Sequence, residues 1–163
     1  AHGNDYGGSV RYPAWACGVV GLRTTPGRIP SYKASFPNRT ISNQLASVQG
    51  PLTRTVADAR LALEVMAQGS PLDPNWVPAP IDVAPHPSPL RVALFKRHAA
   101  YDADPTVVAA LEQAARWLAE AGCEVEEVEP PHFEEGAQMW NQQLMQDMRR
   151  GGQPAIRSEE PHV

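Results

Sequence analysis

Leu90-Arg91-Val92-Ala93-Leu94-Phe95, then Asp104-Pro105 and an apolar series ending at Gly122, then Cys123-Glu124-Val125-Glu126-Glu127-Val128: this succession decides the fold class. The first run is short and apolar, as a strand requires. Asp104 can cap a helix whose first position is taken by Pro105, where the missing N–H is no loss. Val107, Val108, Leu111, Ala114, Ala115, Leu118 and Ala121 recur at helical spacing, and Gly122 supplies the stop. Val125 and Val128 mark a second strand. Strand, helix and strand at this spacing make a βαβ unit, with parallel strands and a right-handed crossover. The expected fold class is therefore α/β.

Outward from this unit, residues 133–150 read as a last helix with Ala137, Trp140, Leu144 and Met148 on one face. Such a stripe packs a core or, as the second reading, lines a substrate pocket. The stretch 151–163 is rich in Gly, Pro and charge and is expected to be a loosely held tail. Upstream, residues 69–89 carry Pro71, Pro74, Pro78, Pro80, Pro85, Pro87 and Pro89, a density that excludes helix and sheet interior. An extended surface connection is expected there, in preference to a domain boundary or a proline-rich ligand motif. Before it, residues 45–52 lead to a helix start. Thr55 can cap, and Asp58 places a carboxylate in the positively polarised first turn. In the helix over 56–67, Val56, Ala59, Leu63 and Met66 form a stripe widened by Leu61, Ala62 and Val65, so burial is expected. Residues 31–43 read as a polar loop, 24–30 as a turn-rich exit, and 15–22 as a buried strand or strand pair.

Composition narrows the possible functions. At 42% hydrophobic and 20% charged, the 163-residue chain is an ordinary globular sequence able to bury a core. Its net charge of −4, with no basic run beyond Arg149-Arg150, argues against nucleic acid as a partner. No apolar run approaches the ~20 residues of a membrane span and no signal-peptide pattern opens the chain, so a cytoplasmic protein is expected. Cys17 and Cys123 read as small buried thiols. His2, His86, His98, His132 and His162 lack metal-ligand spacing, so neither a metal nor a cofactor is expected. The chain begins at Ala1, only eight residues before Ser9, and reads as an internal piece of a longer protein.

The stretch richest in chemistry is Gly3-Asn4-Asp5-Tyr6-Gly7-Gly8-Ser9-Val10-Arg11-Tyr12-Pro13-Ala14. Adjacent glycines before a serine let the backbone turn through positive φ and bring N–H groups together in front of the hydroxyl. Donors so arranged stabilise the oxygen charge that builds when serine attacks a carbonyl, by about 3 to 4 kcal/mol each. Taken alone, Gly-Gly-Ser is more often a flexible turn. Asp5 and Arg11 flank it, however, and can pair to hold one loop shape.

This stretch, with Cys17-Gly18-Val19-Val20-Gly21-Leu22-Arg23, Thr25-Pro26-Gly27-Arg28-Ile29-Pro30 and Gln49-Gly50-Pro51-Leu52-Thr53-Arg54-Thr55-Val56-Ala57-Asp58, resembles the amidase signature family in order and content. The resemblance implies a partial domain with part of a mixed β-sheet flanked by helices. Within it, residues 1–68 would be the signature core, 69–89 the Pro-rich connection, 90–150 the βαβ unit plus helix, and 151–163 the tail. It implies hydrolysis of carboxylic amides through an acyl-serine, with Ser9 as nucleophile. The backbone N–H groups of Tyr6, Gly7, Gly8 and Ser9 would form the oxyanion hole, supported by Asp5 and Arg11. In that family a neutral lysine acts through a bridging serine, both from a segment that precedes this block. Without them the chain alone is expected to be nearly inactive.

His2, Lys33 and Lys96 are the bases this chain could offer instead. A small-molecule amide is the implied partner, with homodimer formation left open. Two other readings stand beside this one. A glutaminase-like subunit of a tRNA-dependent amidotransferase usually has Thr where Tyr6 stands and Gln where Tyr12 stands. A phosphate-cradling binding module would need a Lys-Ser/Thr ending that is missing here.

Overall fold

Val48–Thr53 (β3) is the strand around which the first of two compact units is built; the computed structural model describes residues 1–32, 40–82 and 88–158, with side chains as far as residue 149. The units are Ala1–Asp82 with Gln143–Val163, and Val83–Gln142. In the first, β3 lies between His2–Asp5 (β1) and Val20–Gly21 (β2), antiparallel to both. His2 stands opposite Pro51 and Asp5 opposite Val48, so the register fixes where β1 ends and the next loop begins. Residues 48–51 are all buried, as the middle strand of a sheet should be.

Arg11–Cys17 (α1) is a helix where residues 15–22 read as strand, so that expectation is corrected. The buried residues are Val10 and Ala14, four apart on one helical face, while Trp15 is 69% exposed. The helix ends in a left-handed Gly18, φ 63°, with the Gly18 N–H donating to Trp15 O and the Val19 N–H to Ala14 O. Only then does β2 begin. Cys17, on the last turn of α1, is exposed and Cys123 half-buried, so neither is the buried thiol expected.

Within the expected loop 31–43, Thr40 caps a short helix, Ile41–Ala46 (α2), by accepting the Asn43 N–H at 3.2 Å. Residues 45–52 therefore contain the end of α2 and most of β3. Val56–Met66 (α3) begins as read, with Thr55 Oγ1 accepting the Asp58 N–H at 3.1 Å. Its burial was overestimated. Ala59 is buried, whereas Val56, Leu61 and Val65 are more than half exposed, because α3 is covered on one side only.

The Pro-rich stretch holds neither helix nor strand among its described residues. It is tied back to the unit: Trp76 Nε1 donates to Ala67 O at 3.2 Å, and the Arg28 guanidinium donates to Ala79 O and Pro80 O. Residues 83–87, including Pro85 and Pro87, lie outside the described residues.

The second unit is the βαβ element the sequence announced. Arg91–Leu94 (β4) and Glu124–Glu127 (β5) pair in parallel, joined through Pro105–Glu120 (α4). Asp104 caps α4 by accepting the Thr106 N–H at 2.8 Å, and Gly122 turns at φ 90°. Lys96 closes the unit, pairing with Glu112 of α4 at 3.3 Å and Glu127 of β5 at 2.9 Å.

Phe133–Ser158 (α5) starts in this unit and ends in the first. It runs past residue 150, so the expected tail is helical up to Ser158. Once a helix is nucleated each added residue gains a bond, which carries it through the weak formers Gly151 and Gly152. The chain is α/β, and among its described residues no helix is long and apolar enough to cross a membrane.

The contact that seats α1 on the sheet is testable at Gly21. A Cβ there would stand 2.6 Å from Ala14 Cβ and 2.8 Å from Val10 O. Gly21→Ala is expected to cost about 1 to 3 kcal/mol, seen as a lower urea midpoint at unchanged slope. A midpoint equal to wild type would contradict this packing.

Candidate active site

Residues 5–11 fold around one carboxylate. Asp5 ends β1 with its side chain fully buried. Its Oδ1 accepts the Gly8 N–H at 2.8 Å and Arg11 Nη2 at 3.1 Å. Its Oδ2 accepts Arg11 Nε at 3.0 Å and the N–H groups of Val10 and Arg11 at 3.3 and 3.4 Å. Arg23 Nε stands 3.7 Å from Oδ1 as a second cation. Gly8 makes this wrapping possible, because its φ of 118° is strained for any residue with a Cβ. Burial raises the Asp5 carboxyl, but the hydrogen bonds from Arg11 and the three N–H groups outweigh it and hold the carboxyl well below the usual range. The same bond raises Arg11, so the pair stays charged.

The wrapping determines what the loop shows to its surroundings. Ser9 is exposed between half-buried Gly8 and fully buried Val10, and Gly7 is exposed. Of the four N–H groups expected at an oxyanion hole, that of Gly8 is bonded to Asp5. Those of Gly7 and Ser9 have no hydrogen-bond partner among the described residues. Tyr6 is half-buried and faces a second carboxylate, donating its hydroxyl to Asp147 Oδ2 of α5 at 2.8 Å. Thr40 Oγ1 donates to the same oxygen at 2.6 Å, and Ser42 Oγ to Oδ1 at 3.3 Å. Burial, then the bond and charge of Asp147, raise the Tyr6 phenol above its ordinary value, against a smaller opposing effect of Ser42.

The structure thus brings together Asp5, Tyr6, Gly7, Gly8, Ser9 and Arg11. Two of the other bases the sequence offered are held in pairs of their own. His2 Nε2 pairs with Gln49 Oε1 at 2.8 Å. Lys96 belongs to the βαβ unit, where the hydrogen bonds of Glu127 and Glu112 raise its pKa and keep it protonated, the wrong state for a base. Lys33 lies outside the described residues. Asp147 was missed. Its signal was its place on the stripe of α5, three residues after Leu144 and seven after Trp140, where a carboxylate must find partners.

An exposed serine in a loop held by buried charge, beside backbone donors with no partner among the described residues, has the parts that acyl transfer uses. The chain matches the Amidase family model over residues 1–151 and belongs to that family. It is 51% identical over 142 residues to an indoleacetamide hydrolase of Bradyrhizobium diazoefficiens, covering 86% of this chain and 27% of that protein. An indoleacetamide hydrolase of Bradyrhizobium japonicum is 44% identical over 99% of this chain and 36% of its own length. Among solved structures, a glutamyl-tRNA(Gln) amidotransferase component from Thermotoga maritima superposes with a TM-score of 0.76 at 26% identity, covering 97% of this chain and 36% of that one. The chain therefore spans roughly a third of the length of the proteins it matches.

The Asp5 cluster makes stability depend on acid in a defined direction. Its folded pKa lies below the ordinary value of 3.8, so the unfolded chain takes up the proton first. Stability from this group is fully present above about pH 4 and is lost as pH falls towards the folded pKa. Asp5→Asn is expected to be about 2 kcal/mol less stable at neutral pH, from weakened charge-assisted bonds, and to lose less on going to pH 3. Urea unfolding at both pH values reads this; equal acid losses in variant and wild type would contradict it.

Proposed function

We propose that this chain carries the nucleophile loop of an amide hydrolase, with Ser9 attacking the carbonyl carbon of a small-molecule amide. The supporting observation is exposed Ser9 beside the Gly7 and Ser9 N–H groups, which have no partner among the described residues, in a loop fixed by buried Asp5. The Ser9 Oγ–C bond forms as the carbonyl π electrons move to oxygen, and that oxygen receives the Gly7 and Ser9 N–H groups. The tetrahedral intermediate collapses with cleavage of the C–N bond. The nitrogen leaves as ammonia or an amine after taking up a proton, and water then hydrolyses the ester to release the acid and regenerate Ser9.

The proton removed from Ser9 needs an acceptor. His2 and Lys96 are engaged elsewhere. Lys33 lies outside the described residues, and the family resemblance assigns the base to a lysine and bridging serine ahead of this block. Tyr6 and Gly8 complete the loop, Gly8 by orienting Asp5 and Tyr6 by its contact with α5.

The first substrate to test is indoleacetamide, named for relatives at 51% and 44% identity. A role within a tRNA-dependent amidotransferase, with glutamine as the amide, is the second reading. It draws on the close superposition with the Thermotoga maritima amidotransferase component, at a lower identity of 26%.

In the complete protein that carries this chain, Ser9→Ala is expected to lower ammonia release from indoleacetamide by about 10⁴-fold or more. The variant should still bind the amide, measured by calorimetry. Retention of most turnover would remove Ser9 as nucleophile. Ammonia from glutamine but not from indoleacetamide in the wild type would favour the amidotransferase reading.

A further inference from the structure

The Gly7 N–H belongs to the peptide between Tyr6 and Gly7, and glycine on its own does little to fix that peptide's orientation. On one side the next peptide is held, because the Gly8 N–H is bonded to Asp5 Oδ1 at 2.8 Å. On the other side, the Tyr6 hydroxyl donates to the carboxylate of Asp147 at 2.8 Å, with Ser42 also in hydrogen-bond contact with the hydroxyl. That carboxylate is itself oriented, with Thr40 on Oδ2 at 2.6 Å and Ser42 on Oδ1 at 3.3 Å. Thr40 in turn caps α2 through the Asn43 N–H, so the second hold is anchored in secondary structure at both ends.

We propose that Asp147 is a positioning residue for the oxyanion loop: by fixing the Tyr6 hydroxyl it sets the direction of the Gly7 N–H towards the developing oxyanion. This rests on the amide-hydrolase reading above. Asp147 acts on the loop through the Tyr6 hydroxyl. The loop is thus gripped by two carboxylates, Asp5 behind the Gly8–Arg11 segment and Asp147 at the Tyr6 side chain, with Gly7 between the grips. A donor displaced by about 1 Å can cost on the order of 100-fold in rate, so loosening one grip should be read in kcat.

Two experiments decide it. In this chain, NMR of ring-labelled tyrosine follows the Tyr6 phenol, assigned by its loss in Tyr6→Phe. Asp147→Asn should lower its titration midpoint, since the neighbouring charge is gone; an unmoved midpoint overturns the contact and the proposal. In the complete enzyme, Tyr6→Phe and Asp147→Leu should each lower kcat about 10- to 100-fold, normalised to the sites labelled by a fluorophosphonate. KM should stay within about threefold, and the double variant should be no worse than either single one. Asp147→Asn, which keeps an acceptor for the Tyr6 hydroxyl, should recover most of the loss.

Effects that multiply in the double variant, or an unchanged kcat in Tyr6→Phe while Ser9→Ala is dead, overturn the proposal and leave the hydrolase reading intact. Turnover surviving in Ser9→Ala overturns that reading, and the proposal with it.

Discussion

A buried carboxylate is costly unless enough donors meet it, and Asp5 is met by five hydrogen bonds from Gly8, Val10 and Arg11. The number and direction of those donors decide the sign of the balance: the group stays ionised despite its burial. Much of the first unit serves this arrangement. β3 sets the register that brings Asp5 to the end of β1, Gly8 allows the loop to curl back, and Val10 and Ala14 seat α1 against Gly21 of β2. Arg23, three residues past the start of β2, adds a second cation 3.7 Å from Asp5 Oδ1.

The consequence for chemistry is a division of labour among backbone groups only a few residues apart. N–H groups that point inward serve Asp5 and hold the loop; those of Gly7 and Ser9 have no partner among the described residues. In the proposed acyl transfer, a loop preorganised in this way need not rearrange as charge develops on a bound carbonyl, which is where electrostatic catalysis gains most. Asp147 extends the same logic to the Tyr6 side chain, now through neutral hydroxyls rather than guanidinium groups. The exposed apolar residues of α3 and the Tyr12–Trp15 pair belong to a chain about a third as long as the proteins it matches.

Local chemistry made part of this legible. The βαβ unit could be read because Asp104-Pro105 and Gly122 each have one favoured place in a helix, and the Asp5–Arg11 pair because opposite charges flank Gly-Gly-Ser. The helix α1 was misread because Ala16, Cys17, Gly18, Val19 and Val20 form an apolar run with no clear period. Its burial is carried by Val10 and Ala14, upstream of that run. The exposure of α3 depends on what covers it, which periodicity does not encode. Asp147 was beyond local reading because its partner Tyr6 lies 141 residues away, leaving only the oddity of a carboxylate on an apolar stripe.

Everything proposed for the loop turns on Ser9 bearing the acyl group, and the most direct measurement is mass spectrometry of the acid-quenched complete enzyme during turnover of indoleacetamide. The expected result is an added acyl mass on the proteolytic peptide containing Ser9, disappearing as substrate is exhausted. An acyl group carried on a different residue, or full turnover with no acyl-enzyme trapped at any quench time and none captured by added hydroxylamine, would contradict it.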